Sequence, residues 1–379
     1  MNLNKKKLLL ILNDAPFFLS HRLPLALIAQ EKGFNVHIAT PYNKKSVKKI
    51  ISYGFKYHSI PLFRGNTNII REIILFFSIL KLIYLEKPKV LHCVTMKPVL
   101  YGGIISRILK TPAVVHAITG LGHLFIYNKK VSLIKYIIYK LYKVALNHHN
   151  ALTIFQNNED LNSFISQKII QEKKTMLIKG CGVNLDDYNI DTENNSKITV
   201  IFPARIIGDK GVYEFVEAAK IIKKVKPEII FAIVGQIDTQ NPTSISMKKL
   251  ELWIDNSIIE YWGFSDDMSK TFEKSSIICL PSYREGLPRT LIEASASRRP
   301  IVTTDVPGCN EIVRDHINGF IVPPRNSKKL SEAILKLIND KDLRIQLGKN
   351  GRKIVQEEFT VEIFKKKSMH AYDLVLNNT

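Results

Sequence analysis

Cysteine is scarce in this 379-residue chain, and the four present, Cys93, Cys181, Cys279 and Cys309, stand far apart with no C-x-x-C pair. That spacing excludes a disulfide framework and a cysteine zinc site, and it fits reduced thiols in a cytosol. Long apolar runs are missing too, since no uninterrupted stretch reaches the roughly 18 residues of a spanning helix. Lys5-Lys6-Lys7 before Leu8–Leu12 imitates a signal peptide. Its apolar run is too short for one before Asn13-Asp14 intervenes, so it reads as a buried first strand. No collagen, mucin or coiled-coil bias occurs, and no nucleic-acid motif or aromatic RNA-binding pattern is recognisable. Acid is absent locally: residues 101–150 hold seven Lys/Arg and no Asp or Glu.

What is present is ordinary globular material, 45% hydrophobic and 23% charged, in a chain long enough for two domains that each bury a core. The net charge of +21 is unevenly spread. Residues 1–190 carry 27 Lys/Arg against 9 Asp/Glu, and residues 191–379 carry 28 against 25. A basic half attracts phosphate or anionic lipid. Short apolar runs alternate with helical patterns from Leu8–Leu12 to Phe320–Val322, which predicts parallel sheets covered by helices on both faces. Ile229–Val234, apolar throughout, suits a strand buried on both sides. The Asn- and Asp-rich stretch Asp186–Ser196 reads as the linker. The expected domains are therefore 1–185 and 186–379, with helix 360–375 packing back on the first. Two doubly wound α/β domains would place a ligand cleft at the carboxyl ends of their strands.

Two constellations in the second half carry chemistry. The strand Ile277–Leu280 runs into Pro281-Ser282-Tyr283-Arg284-Glu285-Gly286-Leu287-Pro288, and a helix starts near Arg289-Thr290 and continues through Glu293. Pro288 suits a first helical turn, where its missing N–H costs nothing. The N–H groups of Arg289, Thr290 and Leu291 are expected to be free as an anion site. One carboxylate, Glu285 or Glu293, suits sugar hydroxyls and the other a ribose diol. Alone, Glu293 would read as a solvated helix acid; the surrounding motif turns the reading toward binding. The second constellation is Phe202-Pro203-Ala204-Arg205 followed by Gly208-Asp209-Lys210-Gly211 and a helix. Arg205 and Lys210, at the ligand end of a strand, suit neutralisation of a diphosphate leaving group.

Arg205, Lys210-Gly211, the Glu285-x7-Glu293 pair and Pro307-Gly308 before Glu311 resemble the signature of retaining GT-B glycosyltransferases of family 4. Ser20-His21-Arg22-Leu23-Pro24, Thr95–Gly102, Ile118–Gly122, Phe155-Gln156-Asn157 and Lys179–Asn184 resemble a narrower bacterial subfamily. Its members build O-antigens and other undecaprenyl-diphosphate-linked saccharides, some as N-acetylgalactosaminyltransferases. The resemblance implies a GT-B fold of two Rossmann-like domains and transfer of an N-acetylhexosamine such as GalNAc from a UDP-sugar to a lipid-linked saccharide. It implies that Arg205 and Lys210 contact the donor phosphates, Glu293 the ribose and Glu285 the sugar. Gly263, Phe264, Leu280 and Pro281 would hold the base, and Gly286, Leu287, Pro288, Arg289 and Thr290 would complete the donor site. His116, ending the fifth strand of the first domain, would meet the transferred sugar, with His92 at the end of the preceding strand as a weaker candidate. Phe17, His21, Lys97, Gly120 and Gly122 fall on the acceptor side. The family's N-terminal loop is often glycine-rich, and here it reads Asn13-Asp14-Ala15-Pro16-Phe17-Phe18.

No Asp-x-Asp motif occurs; Asp186-Asp187 and Asp266-Asp267 read as linker and helix cap, so no metal site or cofactor is expected. Arg205, Lys210 and a helix start would supply the electrostatics of a metal. Asn68–Glu86 and Val131–Leu146 read either as core helices or as surfaces for an anionic membrane, the second being rich in lysine and tyrosine and free of acid. The expected setting is the inner face of the plasma membrane, with no nucleic acid as partner. The alternatives are a nucleotide-sugar epimerase of the same fold, a basic nucleic-acid-binding protein, and a catalytically dead membrane scaffold.

Overall fold

The computed structural model describes residues 6–63, 68–120, 133–190, 197–239 and 241–378. The chain forms two compact units. Unit 1 is Met1–Cys181 with Val361–Thr379, and unit 2 is Gly182–Thr360. The C-terminal segment thus belongs to unit 1. Of the expected linker, Asp186–Tyr188 form a 3-10 turn within unit 2 with Tyr188 buried, and residues 191–196 lie outside the described residues.

Unit 1 holds a seven-stranded sheet of β1 (Lys7–Ile11), β2 (Asn35–Thr40), β3 (Lys56–Ser59), β4 (Val90–Val94), β5 (Ala113–Ile118), β6 (Ala151–Phe155) and β7 (Thr175–Leu177), in the order β3-β2-β1-β4-β5-β6-β7. Every pairing is parallel. Apolar continuity in β1 has a plain cause. Leu8 and Leu10 pack into a cluster with α2 (Leu23–Glu31) and the C-terminal helix, while Leu9 and Ile11 pack on the opposite face among residues of α4 (Ile69–Glu86), α5 (Met96–Ile108) and α6 (Leu133–Leu146). Among the described residues this unit also holds α1 (Ala15–His21), α3 (Lys44–Ser52) and α7 (Asn158–Ser166).

Unit 2 holds β8 (Thr199–Pro203), β9 (Ile230–Val234), β10 (Glu260–Gly263), β11 (Ile277–Leu280), β12 (Ile301–Thr304) and β13 (Gly319–Val322) in the order β10-β9-β8-β11-β12-β13, again all parallel. Its helices are α8 (Val212–Lys223), α9 (Met247–Asp255), α10 (Met268–Glu273), α11 (Arg289–Ala296), α12 (Ser327–Asn339) and α13 (Lys341–Glu358). Asp267 caps α10, its side chain accepting from the Lys270 N–H, as the sequence suggests.

The last helix, α14 (Val361–Leu376), is fixed to unit 1 by specific bonds. Tyr372 is fully buried beside Phe34 and its hydroxyl meets His92 Nδ1 at 2.7 Å. Asn150 Nδ2 donates to the Val375 carbonyl at 2.7 Å. An aromatic buried this completely costs roughly 3–5 kcal/mol when cut to alanine, so α14 is a structural part of unit 1.

Candidate active site

In both sheets the strand order turns back between the first strand and the fourth, and in such sheets ligands sit outside the carboxyl ends at that point. In unit 2 the point lies between β8 and β11, which pair at Ile277↔Val200 and Ile278↔Ile201. Two loops therefore leave the same edge side by side: residues 204–211 after β8, and residues 281–288 after β11. Their backbones touch. Gly211 has φ +78°, and a Cβ there would stand 2.0 Å from the Pro281 carbonyl oxygen, so only glycine fits. The Tyr283 N–H donates to the Asp209 carbonyl at 2.9 Å.

This closeness brings together Lys210 and Glu285, 75 residues apart in sequence. Lys210 Nζ donates to Glu285 Oε1, and Ser282 Oγ donates to the same oxygen at 2.7 Å. The two side chains are only 18% and 10% exposed, a lightly solvated ion pair at a strand end. The loop is braced from behind. Thr304 Oγ1 donates to the Ser282 carbonyl, the Glu285 N–H donates to the Pro307 carbonyl at 3.3 Å, and Gly308 (φ +78°) lets the Gly286 carbonyl approach where a Cβ would intrude at 2.5 Å. The Pro307-Gly308 step of the motif thus supports the Glu285 loop.

Arg205 stands apart from this pair. Its Nη1 lies 2.5 Å from Asp238 Oδ2, and its side chain is half exposed. Glu293, by contrast, is buried in α11 with one oxygen 2.7 Å from Arg289 Nε and a hydrogen bond to Tyr188. Burial pushes its carboxyl above the usual range, and Arg289 and the Tyr188 bond only partly offset this. Burial and the adjacent Glu293 raise the Tyr188 phenol in turn.

Two expectations about this helix need correction. The Leu291 N–H is not free, because it donates to the Pro288 carbonyl at 3.0 Å, closing a tight first turn. Pro288 is the extended cap, with α11 beginning at Arg289. Glu293, 8% exposed, does not have the exposure of the solvated helix acid that the surrounding motif had already argued against. Thr290 Oγ1 is buried with no hydrogen-bond partner among the described residues. Leu287 is buried in the core. At the far edge, the Gly263 carbonyl accepts from the Gly235 N–H at 2.8 Å, with open space about its α-carbon, and Phe264 is 59% exposed. The Leu280 carbonyl accepts from Thr303 Oγ1 at 2.7 Å.

The acceptor-side residues belong to unit 1. Phe17 and His21 stack at 4.4 Å on α1, with Ser20 Oγ 2.7 Å from His21 Nδ1. Lys97, at the start of α5, donates to Glu72 Oε1 at 2.6 Å and to the Phe63 carbonyl at 2.9 Å. Gly120 follows β5 with φ 127°, while Gly122 lies outside the described residues. His116 does not end its strand, because β5 runs on to Ile118, and His92 lies inside β4. Both are buried. His116 has no hydrogen-bond partner on either ring nitrogen among the described residues, and burial, then His148, lowers it to about 3. Burial, then Arg22 and His116, hold His92 well below the ordinary imidazole value.

A further cluster, His37, His58 and Glu86, has metal-like spacing, with the facing imidazole nitrogens 3.0 Å apart. Lys7 and Lys56 already supply its cations, at 2.7 and 3.0 Å from the Glu86 oxygens. Burial pushes Glu86 up, but those two bonds hold it down at about 2, and burial keeps His37 near 4. The cluster is a clasp joining β1, β2 and β3 to the end of α4.

Sequence reasoning passed over Tyr188 and Asp238, which reach the site from a 3-10 turn and from the loop after β9. Asp238 follows the strand beside β8, and that neighbour relation was the one available signal.

Comparison with known proteins agrees with this layout. Residues 186–354 match the family of glycosyl transferases group 1, and residues 7–158 match the glycosyl transferase 4-like family. N,N'-diacetylbacillosaminyl-diphospho-undecaprenol alpha-1,3-N-acetylgalactosaminyltransferase of Campylobacter jejuni is 26% identical, with 95% of this chain and 99% of that protein aligned. The capsular polysaccharide biosynthesis glycosyltransferase CapM of Staphylococcus aureus is 27% identical over 92% of each chain. Among solved structures, HepE of Anabaena in complex with UDP superposes with a TM-score of 0.76 at 17% identity, covering 97% of this chain and 99% of that one. The fold is GT-B, and the two family matches, which between them take in most of both units, mark the chain as a glycosyltransferase.

Proposed function

We propose that the chain is a retaining glycosyltransferase that moves a sugar, an N-acetylhexosamine such as GalNAc, from a UDP-sugar to an undecaprenyl-diphosphate-linked saccharide in bacterial surface glycan assembly. The observation that carries this reading is the meeting of Lys210, Glu285 and Ser282 where β8 and β11 end, with Arg205 on the same loop as Lys210. Lys210 and Arg205 stabilise charge developing on the departing UDP, Glu285 takes the sugar hydroxyls and Glu293 the ribose. As the bond from the anomeric carbon to the phosphate breaks, the acceptor oxygen bonds the same face and its proton passes to the departing phosphate. No protein nucleophile and no metal is required. The donor class draws support from the UDP complex of HepE, and from a 25% identical relative in Escherichia coli named for transfer from UDP-Gal to a GlcNAc-diphosphoundecaprenol. The acceptor class draws support from that relative and the Campylobacter one.

A lipid-linked acceptor calls for a membrane-facing surface, and unit 1 offers one. It holds 30 Lys/Arg against 9 Asp/Glu. No helix among the described residues is long and apolar enough to cross a membrane. Yet α4 buries Leu75, Ile79 and Ile83 and leaves Ile69, Ile70, Ile73, Ile74 and Phe77 at least half exposed. An apolar helix face set in a basic unit suits an interfacial position on anionic lipid.

The test is a thermal-shift panel with UDP, GDP, ADP and CMP, each with and without EDTA. A ligand at 100 times its dissociation constant adds about 2.7 kcal/mol. Stabilisation selective for UDP, indifferent to EDTA and lost in Glu293→Ala, is expected. A shift shared by all four nucleotides, or one abolished by EDTA, would overturn the donor or the metal-free reading respectively.

A further inference from the structure

We infer that Asp238 is a positioning residue for donor binding: it holds Arg205 by one nitrogen and leaves the opposite edge of the guanidinium as a two-donor fork for a phosphoryl group. This rests on the donor-site reading above. Arg205 Nη1 meets Asp238 Oδ2 at 2.5 Å, a single-nitrogen contact. A guanidinium carries five N–H donors in a fixed plane, so a carboxylate on Nη1 leaves Nε and Nη2 to face a phosphate together. Arg205 is half exposed, and a long side chain in that setting loses considerable rotamer freedom when it binds an anion. An ion pair that orients it beforehand removes part of that cost from the binding step.

The segment bearing Asp238 is built to set the neighbouring loop. The Ile206 N–H donates to the Gln236 carbonyl at 2.9 Å, and the Gly208 N–H donates to the Thr243 carbonyl at 2.7 Å. The Ile245 N–H returns to the Ile206 carbonyl at 3.3 Å. Asn241 Oδ1 accepts from both the N–H and the hydroxyl of Thr243 at 2.8 Å, fixing the turn between them. Residues 205–208, which lead to Lys210, are thus laid on residues 236–239 and 241–245, and from that support Asp238 reaches the Arg205 side chain. The alternative is that Asp238 competes with phosphate for Arg205, and the two possibilities differ in sign.

The experiment is a double-mutant cycle read by calorimetric titration of UDP into the full chain: wild type, Asp238→Asn, Arg205→Ala, and both together. Asparagine keeps the shape and the loop while removing the charge, and matched melting temperatures confirm intact folding. UDP affinity is expected to fall roughly two- to fivefold in Asp238→Asn, the scale of a partly exposed ion pair. The same substitution is expected to change nothing when Arg205 is already alanine, and Asp238→Glu should recover part of the loss. Unchanged or tighter binding in Asp238→Asn overturns the inference, as does an equal loss in both backgrounds, which would mark a merely structural role. A wild-type chain that binds no UDP would remove the donor-site reading itself, an outcome distinct from these.

Discussion

Unit 1 carries 30 Lys/Arg against 9 Asp/Glu, whereas unit 2 carries 25 of each, although the two sheets share one strand order over six strands. Their buried ionisable groups differ in the same direction. Unit 1 keeps His37, His92, His116 and His148 out of water, and unit 2 has a single histidine, the exposed His316. Unit 2 buries Glu293 instead. One topology thus supports two electrostatic designs. The neutral unit concentrates opposed charges at one strand edge, where pairs such as Lys210–Glu285 can be set. The basic unit buries uncharged imidazoles, together with Arg22 and Asp160.

Acid should separate the two most strongly. Burial lowers His37 and His148 to about 4 and His116 to about 3, against roughly 6.5 in an unfolded chain. Between those values the unfolded state binds the extra protons, so this part of unit 1's stability is complete above pH ~6.5 and falls as pH drops toward 4. Each such histidine costs about 1.4 kcal/mol per pH unit in that window. Glu86, held at about 2, protects against acid only until pH falls through the range from its unfolded value down to 2. Glu293 runs the other way: its folded carboxyl is raised, so acid favours its burial. Both tryptophans, Trp253 and Trp262, lie in unit 2, so fluorescence reports that unit while circular dichroism reports both. On titration from pH 7 to 4, helix signal should be lost before tryptophan emission shifts. Coincident transitions would show that the histidines do not set the difference.

Catalysis should sharpen the contrast from the other side. Arg205→Ala is expected to lower turnover on the order of 10²–10³-fold, the scale of removing one preorganised donor to developing charge. Its melting temperature should stay close to wild type, since the side chain is half exposed. In unit 1, a charge swap on Lys56 of the His37–His58–Glu86 clasp should do the opposite, lowering stability and sparing turnover. A steady-state transfer assay with matched melts decides between them, and near-full activity in Arg205→Ala removes its assigned role.

The sequence was most legible where structure is local and apolar. Runs such as Ile229–Val234 became strands because a strand covered on both faces needs no polar alternation. It was less legible where sheet order brings distant residues together. Lys210 and Glu285 meet only because β8 and β11 are neighbours, and spacing along the chain does not encode that relation. Resemblance supplied what spacing could not. Asp238 and Tyr188 escaped both, one lying on the loop after β9 and the other in a stretch that reads as linker. His116 was placed at a strand end, yet its strand runs on to Ile118 and the ring is buried within it.

A smaller effect tests the buried acid. In Glu293→Gln the residue keeps its shape and an acceptor for Tyr188 while the desolvated charge disappears. Arg289, 28% exposed, remains solvated without it. Stability at neutral pH is expected to stay within about 1 kcal/mol of wild type, because removing a charge that burial disfavours offsets the lost ion pair. Stabilisation by UDP should nevertheless be lost. A large drop in melting temperature with UDP binding retained would make Glu293 a structural acid and leave the ribose without its assigned partner.

The smallest expected effect lies on the exposed apolar face of α4 in unit 1. Vesicles containing phosphatidylglycerol should retain the chain at low salt and release it as salt rises, because exposed charge is screened beyond about 10 Å at 0.1 M. Neutral vesicles should retain much less. Charge and apolar surface make separate contributions, so they can be separated. Phe77→Glu on α4, where the ring is 58% exposed, should weaken retention severalfold at every salt concentration and leave UDP stabilisation untouched. A glutamate at Tyr213, an exposed aromatic of unit 2, introduces the same charge change in the unit whose charges balance, and it should leave retention nearly unchanged. Equal losses from the two substitutions would mean that total charge governs binding. Loss confined to the α4 variant would assign the membrane-facing role to unit 1.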